Sequence, residues 1–395
     1  MEVLYFIIFS LIIFLGWIFL SKRKVRSVNL YFYHLFVGAL YVAYSINNPA
    51  DTRSLYVDNS FENCKLLLQV PLDNANVVFC YTYILKNFFI NNYGLLCSTF
   101  NFIGFLGINT FYDLLGNFKL ENKFDKYLLN VFFYLPSLSF WTSINFKDSF
   151  VILAYATLIQ FIYFYKINKF SYISCLKVVV TSLLALSVRP YSFFFIVLAI
   201  LFILTLYTIK KFFSRKLNPK LFILFILILG LLYPSFNFIS NQLSITSLQS
   251  DNLKTLNLEL IDTRSKLNIK NAYGSTSYIS QRGLSKSLIV FFGPFSKKSI
   301  NYLIESISGV FFSIICIRIL YIISKMRIID YKPYVLFAFT IILLEFTKIQ
   351  VGIFNLGTAV RHRVSIFLLV AVILMFLSEL KNSSKNNHKL KNNYF

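Results

Sequence analysis

Charge is scarce in this chain. Only 14% of its 395 residues are Asp, Glu, Lys or Arg, against about a quarter in soluble proteins, which excludes an ordinary water-facing surface. Acidic residues are the scarcer sign, 16 against 39 Lys and Arg. Cysteine is sparse as well. The five cysteines, Cys64, Cys80, Cys97, Cys175 and Cys316, are scattered without a CxxC pair, so neither a thiolate metal site nor a disulfide framework is expected. There is no P-loop, no GxGxxG after a strand and no HExxH, which removes the usual phosphate-cradling and zinc-dependent chemistries. A tandem DxD-type carboxylate motif that would hold a divalent ion is missing too. No metal and no cofactor are expected.

What fills the chain is apolar and aromatic: 57% hydrophobic, 19% aromatic, mean hydropathy +0.66. Uncharged runs long enough to span a bilayer repeat from end to end, so the reading is one all-α polytopic membrane domain over 1–380 and no soluble domain. The formal charge of +23 is dispersed in short basic clusters between apolar runs. That is the positive-inside pattern of a membrane protein rather than a nucleic-acid surface. The run 3–20 has no basic segment before it and no small-residue cleavage site, so it reads as a retained helix.

Basic clusters at 22–26, 119–126, 166–177, 210–220, 325–332 and 381–391 alternate with less basic loops, which yields about eleven crossings, N-out and C-in. The expected spans are 3–21, 29–46, 93–115, 127–141, 150–165, 172–188, 192–207, 221–239, 302–323, 335–349 and 364–380. The aromatic stretch 77–90, which carries Lys86, reads as interfacial or re-entrant. Polar loops at 47–76 and 240–301 fall on the outer side. The Asn- and Lys-rich tail 381–395 reads as a solvated, disordered end on the inner side. No internal repeat is evident.

The segment 136–149, PSLSFWTSINFKDS, organises the rest. Lys147 and Asp148 lie between two apolar runs, and lipid solvates neither, so this corner belongs at a membrane face or in a wet cavity. Basic residues on the outer side run against the general bias, and each therefore needs a reason. They are Arg53, Lys147, Arg189, Arg264 and Arg282 in the long loop, and Arg361 and Arg363 around His362. Lysines in the long loop read as solvated charges. Arg189 is different: Pro190 cannot donate a helical hydrogen bond and drives the residue before it out of the helical region. A chain break at Arg189-Pro190-Tyr191 aims a guanidinium at a cavity, although a plain turn between two helices has the same signature. Guanidinium suits bidentate phosphate binding.

Asp51 and Asp148 are the carboxylates able to take a hydroxyl proton, with His362 as a third base. Asp51 is equally a turn residue, and Asp148 equally a neutraliser of Lys147 or a cap for a helix starting at Ser149. Flanking by two arginines favours the neutral imidazole of His362. Trp141 and Tyr191, beside these charges, complete the expected substrate-binding set.

Taken together, an Asp in the first outer loop, PSLSFW…KDS, RPY, FFGPF in the long loop and RHR at 361–363 resemble the Wzy-type O-antigen polymerases and their GT-C-like relatives. The resemblance implies a multi-pass enzyme of the bacterial inner membrane acting at its periplasmic face. It would transfer a growing glycan from undecaprenyl diphosphate onto another lipid-linked repeat unit, without metal or nucleotide. It further implies that Arg189, Arg361 and Arg363 hold the diphosphate, with a chain-length regulator as a possible membrane partner. The alternatives are a GT-C transferase using a polyprenyl-monophosphate sugar, and a flippase of lipid-linked sugars. A flippase would be expected to show duplicated halves and charges buried in mid-span.

Overall fold

The computed structural model describes residues 1–21, 27–47, 74–88, 92–118, 120, 122–143, 146–166, 171–213, 300–324, 333–352 and 362–379. These form helices α1 (Glu2–Ser21), α2 (Val28–Asn47), α3 (Asn74–Phe88), α4 (Tyr93–Leu115), α5 (Lys123–Phe133), α6 (Pro136–Ser143), α7 (Phe146–Lys166), α8 (Tyr172–Val188), α9 (Pro190–Phe213), α10 (Ile300–Ser324) and α11 (Pro333–Gly352). A last helix, α12 (His362–Glu379), follows. No strand occurs among the described residues. The expected span 221–239, the loop 240–299, Asp51, Arg53, Arg264, Arg282, Arg361 and the tail lie outside them, as does the side chain of Tyr191.

Five helices, α1, α4, α7, α10 and α12, contain stretches long and apolar enough to cross a membrane, which is the build of a multi-pass membrane protein. Shorter apolar stretches occur in α8, α9 and α11. On α1 the residues Leu4, Ile8, Ile12, Leu15 and Phe19 form an exposed apolar stripe at helical spacing. A stripe of this size in water would be an aggregation site; hydrocarbon solvates it without cost. By contrast α12 is buried almost all round.

Two local expectations change and a third gains detail. The run 127–141 is not one helix: it breaks at Tyr134-Leu135 into α5 and the eight-residue α6. Pro136, lacking an N–H, opens α6, the helical position where that loss costs least. The stretch 77–90 is helical as α3 and packs on α8 and α4. Cys80 is disulfide-bonded, correcting the expectation of none, while Cys97, Cys175 and Cys316 are free.

Between helices in lipid, close packing and hydrogen bonding hold the structure, because leaving hydrocarbon for protein gains little. The helix α4 is the hub, packed by α1, α2, α6 and α7, and small residues let its neighbours in. A Cβ on Gly104 would sit 2.0 Å from the backbone oxygen of Thr142 in α6, and one on Gly107 would meet Ile152 and Leu153 of α7. Gly104→Val is therefore expected to destabilise the bundle by at least the roughly 1–3 kcal/mol of an overpacked core, since a backbone atom cannot swing away. Gly16 has nothing within 4 Å of the same probe, so Gly16→Val is the matched control. Thermal stability of both variants in detergent, followed by size-exclusion chromatography, checks the difference; equal melting would refute the close approach.

Helix ends sort into two groups. At one end the amide of Gly94 donates to Glu2 Oε2 at 2.7 Å, and Ser45 meets Tyr93 at 3.0 Å. At the other, Ser27 reaches Asn109 of α4, and Tyr163 donates to the Asn117 carbonyl at 3.2 Å.

Candidate functional site

Buried charge occupies two levels of the bundle. Both levels tie α10 to α12. Glu305 and Arg318 lie thirteen residues apart on α10, about 20 Å at 1.5 Å rise per residue. At the far level, Arg318 donates two hydrogen bonds to Asp125 of α5, at 2.5 and 3.1 Å. Ser378 of α12 donates to the same carboxylate at 2.8 Å. The Arg318 guanidinium also lies against the rings of Phe124 and Tyr321. This bidentate, fully partnered pair has the chemistry of a clasp.

The near level gathers the sequence candidates. Arg189 is the break between α8 and α9, with φ −149° and ψ 80°, which the proline after it enforces. Its Nη2 lies 2.6 Å from Asp148 Oδ1 in the first turn of α7, and both side chains are more than nine-tenths buried. The carboxylate thus neither pairs with Lys147 nor caps a helix at Ser149, since α7 begins earlier, at Phe146. On its other side Arg189 Nη1 lies 3.3 Å from Nδ1 of His362. A guanidinium has no acceptor, so it donates and Nδ1 is held as a lone pair. The same nitrogen lies 3.5 Å from Glu345 Oε2. With Glu345 ionised, that approach is not a hydrogen bond, because neither atom then carries a proton. A proton arriving on Nδ1 would exchange the Arg189 contact for an ion pair with Glu345. Glu345 is itself held by the Tyr155 hydroxyl, which donates to Oε1 at 2.8 Å.

The neighbouring residue in sequence, Arg363, is committed elsewhere. It is completely buried, ion-paired through Nη2 to Glu305 and donating to the Glu305 backbone oxygen at 2.9 Å. The Glu305 carboxylate also accepts from Trp141 Nε1 at 2.7 Å and from Ser137 Oγ at 2.8 Å. Phe367, one turn along α12, lies under the guanidinium at 5.1 Å. Trp141 thus anchors Glu305 through its indole N–H and stays partly exposed.

The result is a chain of contacts Asp148–Arg189–His362–Glu345–Tyr155, beside a second cluster Arg363–Glu305–Trp141–Ser137. Arg189, His362, Arg363, Asp148 and Trp141 are brought to one level of the bundle. The structure adds Glu305 and Glu345, which the sequence analysis passed over. Their signal was present: each is the single acid of a predominantly apolar helix, where an ionisable side chain marks a function or a partner. No group of three or more His, Cys, Asp or Glu suited to a metal ion occurs among the described residues. Chemically, the Arg189 chain can hold an anion at a guanidinium and move a proton at Nδ1 of His362; in the Arg363 cluster Nη2 is committed to Glu305, and Nε has no hydrogen-bond partner among the described residues. No protein-family model, no curated protein and no solved structure matches this chain.

Proposed function

We propose that the protein is a polysaccharide polymerase of the Wzy type, transferring an undecaprenyl-diphosphate-linked glycan onto another lipid-linked repeat unit. The observation that carries this reading is Arg189: a buried guanidinium at a helix break, shared between Asp148 and His362. Charges in lipid are expensive and are retained where they do something. A pyrophosphate competing with Asp148 for Arg189 would free the carboxylate as a base for the acceptor hydroxyl, while the guanidinium stabilises the leaving group. Arg361 would join Arg189 at the diphosphate, and Arg363 would serve the scaffold through Glu305. The basic clusters on alternate loops support a periplasmic position for this level, in a bacterial inner membrane.

A flippase of lipid-linked sugars is the second reading, favoured by one observation. Charged side chains are buried well inside helices, Glu345 and Arg318 among them, and transporters place coupling groups there. Deleting the gene and displaying surface glycan on a gel separates the two. The polymerase reading expects a ladder collapsed to a single repeat unit still attached to its surface anchor. Loss of all surface glycan would establish the flippase instead, and a repeat unit short of one sugar would establish a single-sugar transferase.

A further inference from the structure

A second polar cluster lies among α2, α4 and α6, away from the arginines. His34 of α2 is 1% exposed, and Asn101 of α4 and Ser139 of α6 are completely buried. His34 Nε2 meets the Asn101 backbone oxygen at 3.1 Å, so Nε2 is the donor. The other ring nitrogen, Nδ1, has no hydrogen-bond partner, and neither do Nδ2 and Oδ1 of Asn101 or Oγ of Ser139. They belong to neighbouring elements: His34 touches Asn101 through the Nε2 bond, and Ser139 lies one turn of α6 from Ser143, which borders both. Ser143, one turn from Ser139, donates to the Ser139 carbonyl and approaches the His34 carbonyl at 3.5 Å. A Cβ on Gly38, one turn from His34, would touch Asn101 Oδ1 and Ser143.

Four unpaired polar atoms buried where α2, α4 and α6 meet are costly, roughly 1–3 kcal/mol for each group left without a partner. Their chemistry selects what satisfies them. Asn101 presents two N–H donors and a carbonyl acceptor, Ser139 a hydroxyl that does both, and His34 Nδ1 one or the other according to protonation. A cation would satisfy only the acceptors and an anion only the donors. A neutral O–H group satisfies both. With a phenyl ring from Phe6 and the Gly38 backbone as close walls, and no side chain of the cluster open to the surface, the small member of that class is water.

We propose that His34, Asn101 and Ser139 bind an occluded water, and that this water bridges α2, α4 and α6. The short helix α6 then has two polar faces: Ser137 and Trp141 toward Glu305, and Ser139 and Ser143 toward the water site. This inference does not depend on the polymerase reading. The chain has three histidines, so purified full-length protein labelled with 15N-histidine and reconstituted in lipid without glycan substrate is a direct probe, with His34→Phe assigning the resonance. The expected result is an Nδ1 signal at the position of a hydrogen-bonded nitrogen, with cross-peaks to water protons that exchange slowly with bulk. An Nδ1 signal at the free-acceptor position without a water cross-peak would overturn the site. A hydrogen-bonded position that appears only after lipid-linked glycan is added would overturn it as well, assigning the groups to substrate hydroxyls. Neither outcome bears on Arg189.

Discussion

Arg189→Ala is expected to remove long glycan chains from the cell surface, leaving single repeat units. The side chain is the shared partner of Asp148 and His362, the two candidate bases of the near level. Removing a group that stabilises developing charge costs catalysis about 10²–10³-fold or more, enough to erase a ladder built from many successive transfers. The substitution also strands Asp148 as a buried, uncompensated charge, worth roughly 3–5 kcal/mol of destabilisation. Lost protein would then mimic lost activity. The double variant Arg189→Ala with Asp148→Asn removes both charges and separates the effects. Membrane levels near wild type with a collapsed ladder are expected, and Arg189→Lys should restore little, since a lysine cannot bond Asp148 and a diphosphate in a fork. A full ladder from the double variant would end the claim that Arg189 binds the leaving group.

The second large effect concerns Arg363, and it is expected to be on folding. Arg363→Ala leaves Glu305 buried with its Trp141 and Ser137 donors but without its countercharge. A loss of about 3–5 kcal/mol is a large part of the 5–15 kcal/mol that holds a typical protein folded, so membrane abundance should fall severalfold. Replacing both partners, with Arg363→Met and Glu305→Leu, removes the stranded charge, and abundance should return. Quantitative blotting of membranes beside the glycan gel reads the outcome. If the double variant returns to normal abundance but still makes no long chains, Arg363 acts on substrate and the division of labour drawn between the two arginines is wrong.

Sequence reasoning reached the helical class through unbroken apolar runs, and it reached the Arg189 break through a proline whose effect is local. It joined 127–141 into one span because hydropathy cannot register the turn at Tyr134-Leu135, which only the proline marks. It could weigh Asp148 only as a base, a neutraliser of its neighbour Lys147 or a helix cap, because adjacency in sequence is the sole proximity a sequence offers. Glu305 and Glu345 were passed over as isolated acids, since a counter-ion 58 residues away for Glu305–Arg363 leaves no local trace.

From the sequence alone follow the solvent and the building blocks: an apolar, aromatic, weakly charged chain folds into helices, because in hydrocarbon each backbone group must be satisfied within its own segment. The tertiary structure decided the pairings. A buried charge is tolerable only beside its counter-charge, and which helices bring the two together depends on how glycine-lined faces such as that of α4 allow neighbours to close. That is why Arg189 meets Asp148 and His362, and why Arg363, though adjacent to His362 in the chain, is held by Glu305.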